Sequence, residues 1–188
     1  MKKGIFVIIS GPGGVGKDTI ANGIIKKTNA IYSVSMTTRE KRKNEIDGKD
    51  YFFVDIKTFE DSIKNGDILE YTLFNGNYYG TPKKEVFDKL DEGIDVIAIL
   101  DIKGALDVEK IYPKAISIFI MPPSFMELEN RIRIRGTDSE EVITERLKLA
   151  KEEIKSRDKY DYVVINSSVE ETTDEIIDIM NREKGIDI

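Results

Sequence analysis

The chain of 188 residues contains no cysteine and no histidine. Without cysteine there is no disulfide frame and no thiol nucleophile. Without histidine, the commonest general base and the commonest zinc ligand are both excluded. Catalysis would have to rest on carboxylates, lysines, arginines, hydroxyl groups or a magnesium ion. Long apolar runs are missing as well, so no segment is read as membrane-spanning. The opening MKKGIFVIIS has the charged start of a secretion signal, but its apolar part is short and leads straight into a glycine-rich loop. A cytoplasmic protein is expected. A broad positive surface is also lacking, since the net charge is −6. That argues against an electrostatic grip on nucleic acid or on an anionic membrane, and it makes any basic cluster a local site.

What remains is 40% hydrophobic and 34% charged, enough for one substantial core and a small inserted lobe. Short β-branched runs at 4–10, 31–35, 95–100, 115–121 and 160–165 read as strands, the first fit for burial on both faces. Helical patterns follow the glycine loop and recur in PKKEVFDKLDEG, SFMELENRIRIR, SEEVITERLKLAKEEIKSR and VEETTDEIIDIMNRE. Ser124 with Glu127, and Asp138 with Glu141, have capping-box spacing. The alternation predicts an α/β fold with a parallel sheet flanked by helices. Residues 36–81 break that rhythm. Polar and basic at first, they continue in aromatic strand-like pieces around an NGN turn, with Phe59 in a helix-like stretch between them. An inserted, mostly antiparallel lobe is predicted between the second and third core strands.

The stretch SGPGGVGKDT carries the most specific local chemistry. Gly11-x-x-x-x-Gly16-Lys17 is the spacing of a phosphate-binding loop, up to its lysine. Gly11, Pro12, Gly13, Gly14, Val15 and Gly16 would turn backbone N–H groups toward phosphate oxygens, at the positive end of the next helix. Lys17 would reach the β- and γ-phosphates. The usual closing hydroxyl is replaced by Asp18, with Thr19 one place late. The strand DVIAIL ends in Asp101, which in such enzymes steers magnesium and elsewhere simply caps a helix. Asp18 is a second tentative metal carboxylate, since an acid beside a triphosphate needs a cation between them. TTREKR places Arg39 and Arg42 together, either as a solvated loop or as a fork for an acceptor phosphate, with Tyr51 and Tyr79 as added donors. Arg131, Arg135 and Arg146 fall on two helical stretches and suit a movable clamp on a transferring phosphoryl group.

The segments SVSMTTREKRKNEIDGKDYFF, LEY, GNYYGTP, DIKGA, PPSFMELENRI and RGTDSEEVITERL closely resemble the guanylate kinase family, in register over nearly the whole chain. The resemblance implies a three-part enzyme: a core (1–34, 82–123 and 156–188), a GMP-binding lobe (35–81) and a lid (124–155). It would transfer the γ-phosphoryl group of ATP to GMP, and to dGMP, using magnesium. It implies that Ser35, Glu70 and Thr81, with Asp101, serve the guanine. Arg39, Arg42, Tyr51 and Tyr79 would hold the GMP phosphate, Lys17, Arg131, Arg135 and Arg146 the transferring group, and Asn166 would lie near the ATP base. Guanine chemistry fits independently: its N1–H and N2–H donors suit one carboxylate, whereas adenine would turn a lone pair toward Glu70. The chain departs from the family pattern at Gly13 (usually serine), at Ile99 (usually an acid) and in Asn166-Ser167-Ser168 (usually Asn-Asp-Asp). Two other functions remain open: a non-catalytic interaction module, against which the intact loop and arginines speak, and a same-fold kinase for another phosphate acceptor. No nucleic acid or membrane partner is expected, and the chain would act as a monomer or a homodimer.

Overall fold

The computed structural model describes residues 3–134 and 139–186. Strand β1 (Phe6–Ser10) enters the phosphate loop and helix α1 (Lys17–Lys27) leaves it, followed by β2 (Ile31–Tyr32). Next come β3 (Met36–Thr37), β4 (Phe52–Phe53), α2 (Ile56–Lys64), β5 (Ile68–Phe74) and β6 (Asn77–Pro82). The chain continues through α3 (Lys83–Asp91), β7 (Val96–Ile99), α4 (Ile102–Ile111), β8 (Ile116–Met121) and α5 (Phe125–Ile134). It ends with α6 (Glu140–Ile154), a short 3₁₀ turn (Arg157–Lys159), β9 (Tyr162–Ile165) and α7 (Val169–Glu183).

The core sheet is parallel, in the order β2-β7-β1-β8-β9. Central β1 explains its own sequence. Phe6 and Ile8 face a core shared with Val86 and Leu90 of α3 and Val108 of α4. Val7 and Ile9 face the opposite core, with Ile20 and Ile24 of α1 and Ile176 of α7. A strand covered on both faces reads as an unbroken apolar run, because no residue meets water. The chain leaves β1 toward β2 and β7 on one side and later crosses to β8 on the other. The glycine loop therefore opens at the carboxyl ends of the strands, where the strand order reverses.

The second sheet, β4-β3-β6-β5, lies between β2 and β7 in the chain, as expected. It is mixed: β6 pairs antiparallel with β3 and β5, while β3 and β4 are parallel. Its hairpin turns at Asn75 and Gly76, both with positive φ (49° and 76°), the two-residue turn that matches strand twist. Phe59 of α2 is fully buried and stacks on Tyr78, with centroids 5.1 Å apart. The apolar side of this small sheet is thus closed by its own helix.

Some expected elements differ. The strand read over 31–35 stops at Tyr32, and Ser33 and Ser35 turn toward a cleft instead. Helix α4 was not anticipated; Asp101 caps it, accepting the Gly104 N–H at 2.7 Å. Ser124 accepts the Glu127 N–H as its spacing suggested. The cap of α6 is Ser139, one residue later than the Asp138–Glu141 reading, and Asp138 lies outside the described residues.

Candidate active site

The phosphate loop is shaped by three glycines with positive φ: Gly11 (147°), Gly14 (89°) and Gly16 (99°). A Cβ at Gly11 would lie 2.4 Å from the carbonyl oxygen of Ile120, so the chain can pass there only without a side chain. Lys17 folds back over the loop, donating to the carbonyl oxygens of Gly11 (2.6 Å) and Pro12 (3.2 Å). Its charge is held above the loop mouth, where a phosphate chain would meet it. Glu153 of α6 also faces the loop, a neighbour the sequence did not single out. Burial raises its carboxyl pKa, while the Lys17 charge and the Gly13 N–H pull it back down.

Two hollows open beside the loop. One, of 370 Å³, is lined by Asp18, Ser33, Ser35, Lys49, Tyr51 and Ile99 among others. The second, of 200 Å³, is lined by Ser35, Tyr51, Glu70, Thr72, Tyr79 and Asp101 among others. They share Ser35, Tyr51, Ile99 and Leu100, so they form one cleft from the start of α1 to Glu70. Five residues expected at the acceptor, Ser35, Tyr51, Glu70, Tyr79 and Asp101, thus line one hollow, though they are spread along the chain from 35 to 101.

Glu70 owes its aim to a bulge. Ile68 pairs with Pro82, but Tyr71 pairs with Gly80, so β5 carries one extra residue over 69–70. At the bulge Leu69 enters the core, and Glu70, its neighbour, turns into the cleft. Thr81, fully buried, donates to Glu70 Oε1 at 2.7 Å. Burial raises the Glu70 carboxyl above its ordinary pKa; the Thr81 bond opposes that shift and the Asp101 charge adds to it. A half-desolvated carboxylate with capacity to accept hydrogen bonds is a strong site for paired N–H donors.

Arg39 lies beside this hollow, over the rings of Tyr51 (5.5 Å) and Phe53 (5.7 Å). Its guanidinium forms a two-point pair with Glu45, at 2.7 and 3.0 Å. Glu45, absent from the sequence expectations, also accepts the Arg42 N–H at 2.8 Å. The Arg39 bond holds the Glu45 carboxyl below its ordinary pKa. Tyr51 and Tyr79 meet edge to face at 6.0 Å. The Arg42 side chain is exposed. Arg131 on α5 donates to Glu127 (3.0 Å) and to the carbonyl oxygen of Asn166 (3.2 Å). Arg146 lies on exposed α6 surface, and Arg135 falls outside the described residues. Asn166, expected near the ATP base, is buried, with both ends of its amide bonded inside the protein.

Magnesium fits the donor set. The cleft offers carboxylate and hydroxyl oxygens, with Asp18 and Asp50 at the loop end and Asp101 beside Glu70. Among the described residues no group of three acidic or nitrogen ligands forms a cage. One Asp101 oxygen accepts the Gly104 N–H at the cap of α4, which leaves its other oxygen available.

The family model described as guanylate kinase matches residues 3–183. The chain belongs to the guanylate kinase family. It is 49% identical to the guanylate kinase of Carboxydothermus hydrogenoformans, over 98% of this chain and 91% of that protein. It is 48% identical to that of Clostridium tetani, over 98% and 88% of the two chains. The crystal structure of guanylate kinase from Anaplasma phagocytophilum superposes with a TM-score of 0.74 at 38% identity, covering 97% of this chain and 87% of that one. Two departures from the guanylate kinase pattern find a physical reading. A Cβ at Gly13 would meet nothing within 4 Å, so the usual serine is dispensable to the loop's shape. Ser168 caps α7, accepting the Glu171 N–H at 3.2 Å, a task an aspartate performs equally well. Among the described residues no helix is long and apolar enough to cross a membrane.

Proposed function

We propose that this protein catalyses transfer of the γ-phosphoryl group of ATP to the phosphate of GMP, giving ADP and GDP, in the cytoplasm. The observation that carries the reading is the Glu70–Thr81 pair at the end of a cleft that begins at the phosphate loop. Guanine enters that end and presents N1–H and N2–H to the Glu70 carboxylate, with Ser35, Thr81 and Asp101 around the ring edge. The hydroxyl of Thr81 already orients one carboxylate oxygen, so little reorganisation accompanies binding.

The GMP phosphate lies toward Arg39, Arg42, Tyr51 and Tyr79. Glu45 holds Arg39 in place beforehand, which lowers the entropy of assembling the fork. ATP lays its phosphates along the loop, and Lys17 moves from the Gly11 and Pro12 carbonyls onto the β- and γ-oxygens. A GMP phosphate oxygen then attacks the γ-phosphorus in line while ADP departs. Arg131, Arg135 and Arg146 gather the charge spread over the transferring oxygens. Asp18 would help to hold magnesium, which when bound would supply positive charge to neutralise the phosphates. The division into core (1–34, 82–123, 156–188), lobe (35–81) and lid (124–155) supplies the closing motion that excludes water. ADP release measured across GMP, dGMP, AMP, CMP and UMP tests the reading. GMP and dGMP should react, and the others should react at least about 10³-fold less efficiently. Equal use of AMP would overturn it.

A further inference from the structure

Asn166 sits where four parts of the molecule meet. It is 2% exposed. Its backbone N–H donates to Met121 at the end of β8 (2.8 Å), and its carbonyl oxygen accepts from Arg131 on α5. Its Nδ2 donates to the carbonyl oxygen of Val15, inside the phosphate loop, at 2.7 Å. The Val15 carbonyl can only accept, so the NH₂ end of the amide must face the loop; Oδ1 then lies 3.3 Å from the Thr172 hydroxyl of α7, which donates to it and also lies 3.4 Å from the carbonyl oxygen of Ile165. A Cβ at Gly16 would lie 2.9 Å from Nδ2, so the loop and this amide are fitted to one another.

The consequence follows from peptide planarity. The Val15 carbonyl and the Gly16 N–H belong to one trans peptide unit and point in opposite directions. Holding that carbonyl against Asn166 aims the Gly16 N–H away from Asn166, at the N-terminus of α1. Gly16 has φ 99°, and as a glycine it can also take negative φ, so its side of the peptide does not oppose the flipped orientation. Without the amide, the unit can rotate and withdraw one donor from the phosphate site. We propose that Asn166 is a positioning residue for the phosphate loop: held by Thr172, it locks the Val15–Gly16 peptide so that the Gly16 N–H meets an oxygen of the donor's phosphate chain. This role needs no contact with the adenine base. It rests on the loop holding phosphate, as the proposed function does, and is separable from the reading of guanine.

The test compares ATP with inorganic tripolyphosphate, which has the phosphates but no base. Calorimetry on the full chain in one magnesium buffer would give affinities for both, and for GMP alone, in wild type, Asn166→Asp, Asn166→Ala and Thr172→Val. Asn166→Asp is nearly isosteric but cannot donate to Val15. We expect Asn166→Asp and Asn166→Ala to weaken ATP and tripolyphosphate by the same factor, about 5–15-fold, the loss of roughly one hydrogen bond. Thr172→Val should produce a smaller loss of the same kind, and GMP binding should be unchanged throughout. Weakened ATP with unchanged tripolyphosphate would make Asn166 a base contact and overturn the proposal. So would unchanged affinity for both, or loss of GMP affinity in step with ATP, which would mark general damage to the fold. A wild-type protein that phosphorylates no nucleoside monophosphate yet shows the paired losses would contradict the proposed function while leaving this role standing.

Discussion

Replacing Glu70 by glutamine should separate recognition from stability in opposite directions. The carboxylate accepts from Thr81 through one oxygen and, on our reading, from the guanine N1–H and N2–H as well. Hydrogen bonds to a charged group contribute about 1.5–3 kcal/mol each. Glutamine keeps one acceptor oxygen, satisfied by Thr81, and turns an NH₂ group toward the two guanine donors. Two favourable contacts become donor against donor, about 3–5 kcal/mol, or about 10²–10⁴-fold in kcat/KM for GMP. ATP affinity should stay within about twofold, since the loop is untouched. Stability should move the other way at neutral pH. Burial raises the folded-state pKa of Glu70, so its favourable contribution is complete below the ordinary carboxylate value and is lost as pH rises through the raised one. Neutral glutamine avoids that loss. Thermal melts without ligand should show Glu70→Gln equal to or above wild type at pH 7.5, with any gap closing toward pH 4. By the same linkage, GMP affinity of the wild type should fall as pH drops through the raised pKa. The reasoning fails if the variant phosphorylates GMP as well as wild type does, or if ATP affinity collapses alongside GMP turnover.

Arg131→Ala should lower kcat by about 10³-fold with a much smaller change in ATP affinity, because charge on the transferring group is greatest in the transition state; an effect confined to KM contradicts this. Arg39→Ala should raise the KM for GMP, and it should also lower the melting temperature at pH 7 by leaving Glu45 without its partner. Glu45 has a depressed pKa, so its stabilising share is present above the ordinary carboxylate value and lost as pH falls through the folded one; the difference between Arg39→Ala and wild type should shrink in acid. Asp18→Asn should flatten the magnesium dependence of ATP binding and improve metal-free binding, while Asp18→Ser should restore an ordinary loop; coincident titrations for all three proteins would make Asp18 only a helix-end charge.

The core strands and the phosphate loop were legible because burial on both faces and positive φ each leave a direct residue signature. Helix α4 is less legible: Asp101 reads equally as a helix cap or a metal-steering acid, and the glycine at 104 weakens the helical pattern just where the cap needs its N–H. The bulge at Leu69–Glu70 cannot be seen in one strand alone, since it is defined by the pairs Ile68–Pro82 and Tyr71–Gly80 with the next strand. Glu70 itself was found through its resemblance motif and the donor pattern of guanine, while the Thr81 bond that orients it is a matter of register. Glu45, six residues after Arg39, was invisible because opposite charges at that spacing in a loop have no fixed geometry. Asn166 shows the converse. Its identity was noted, but whether an amide faces a ligand or a backbone carbonyl depends on packing between β8, α5 and α7.

The most direct measurement follows the phosphorus. Wild-type protein, magnesium, GMP and ATP labelled at the γ-phosphate should yield labelled GDP, with the label in its β-phosphate and at most traces in inorganic phosphate. Label appearing mainly as inorganic phosphate, or remaining in ATP while GMP is bound, would contradict the account.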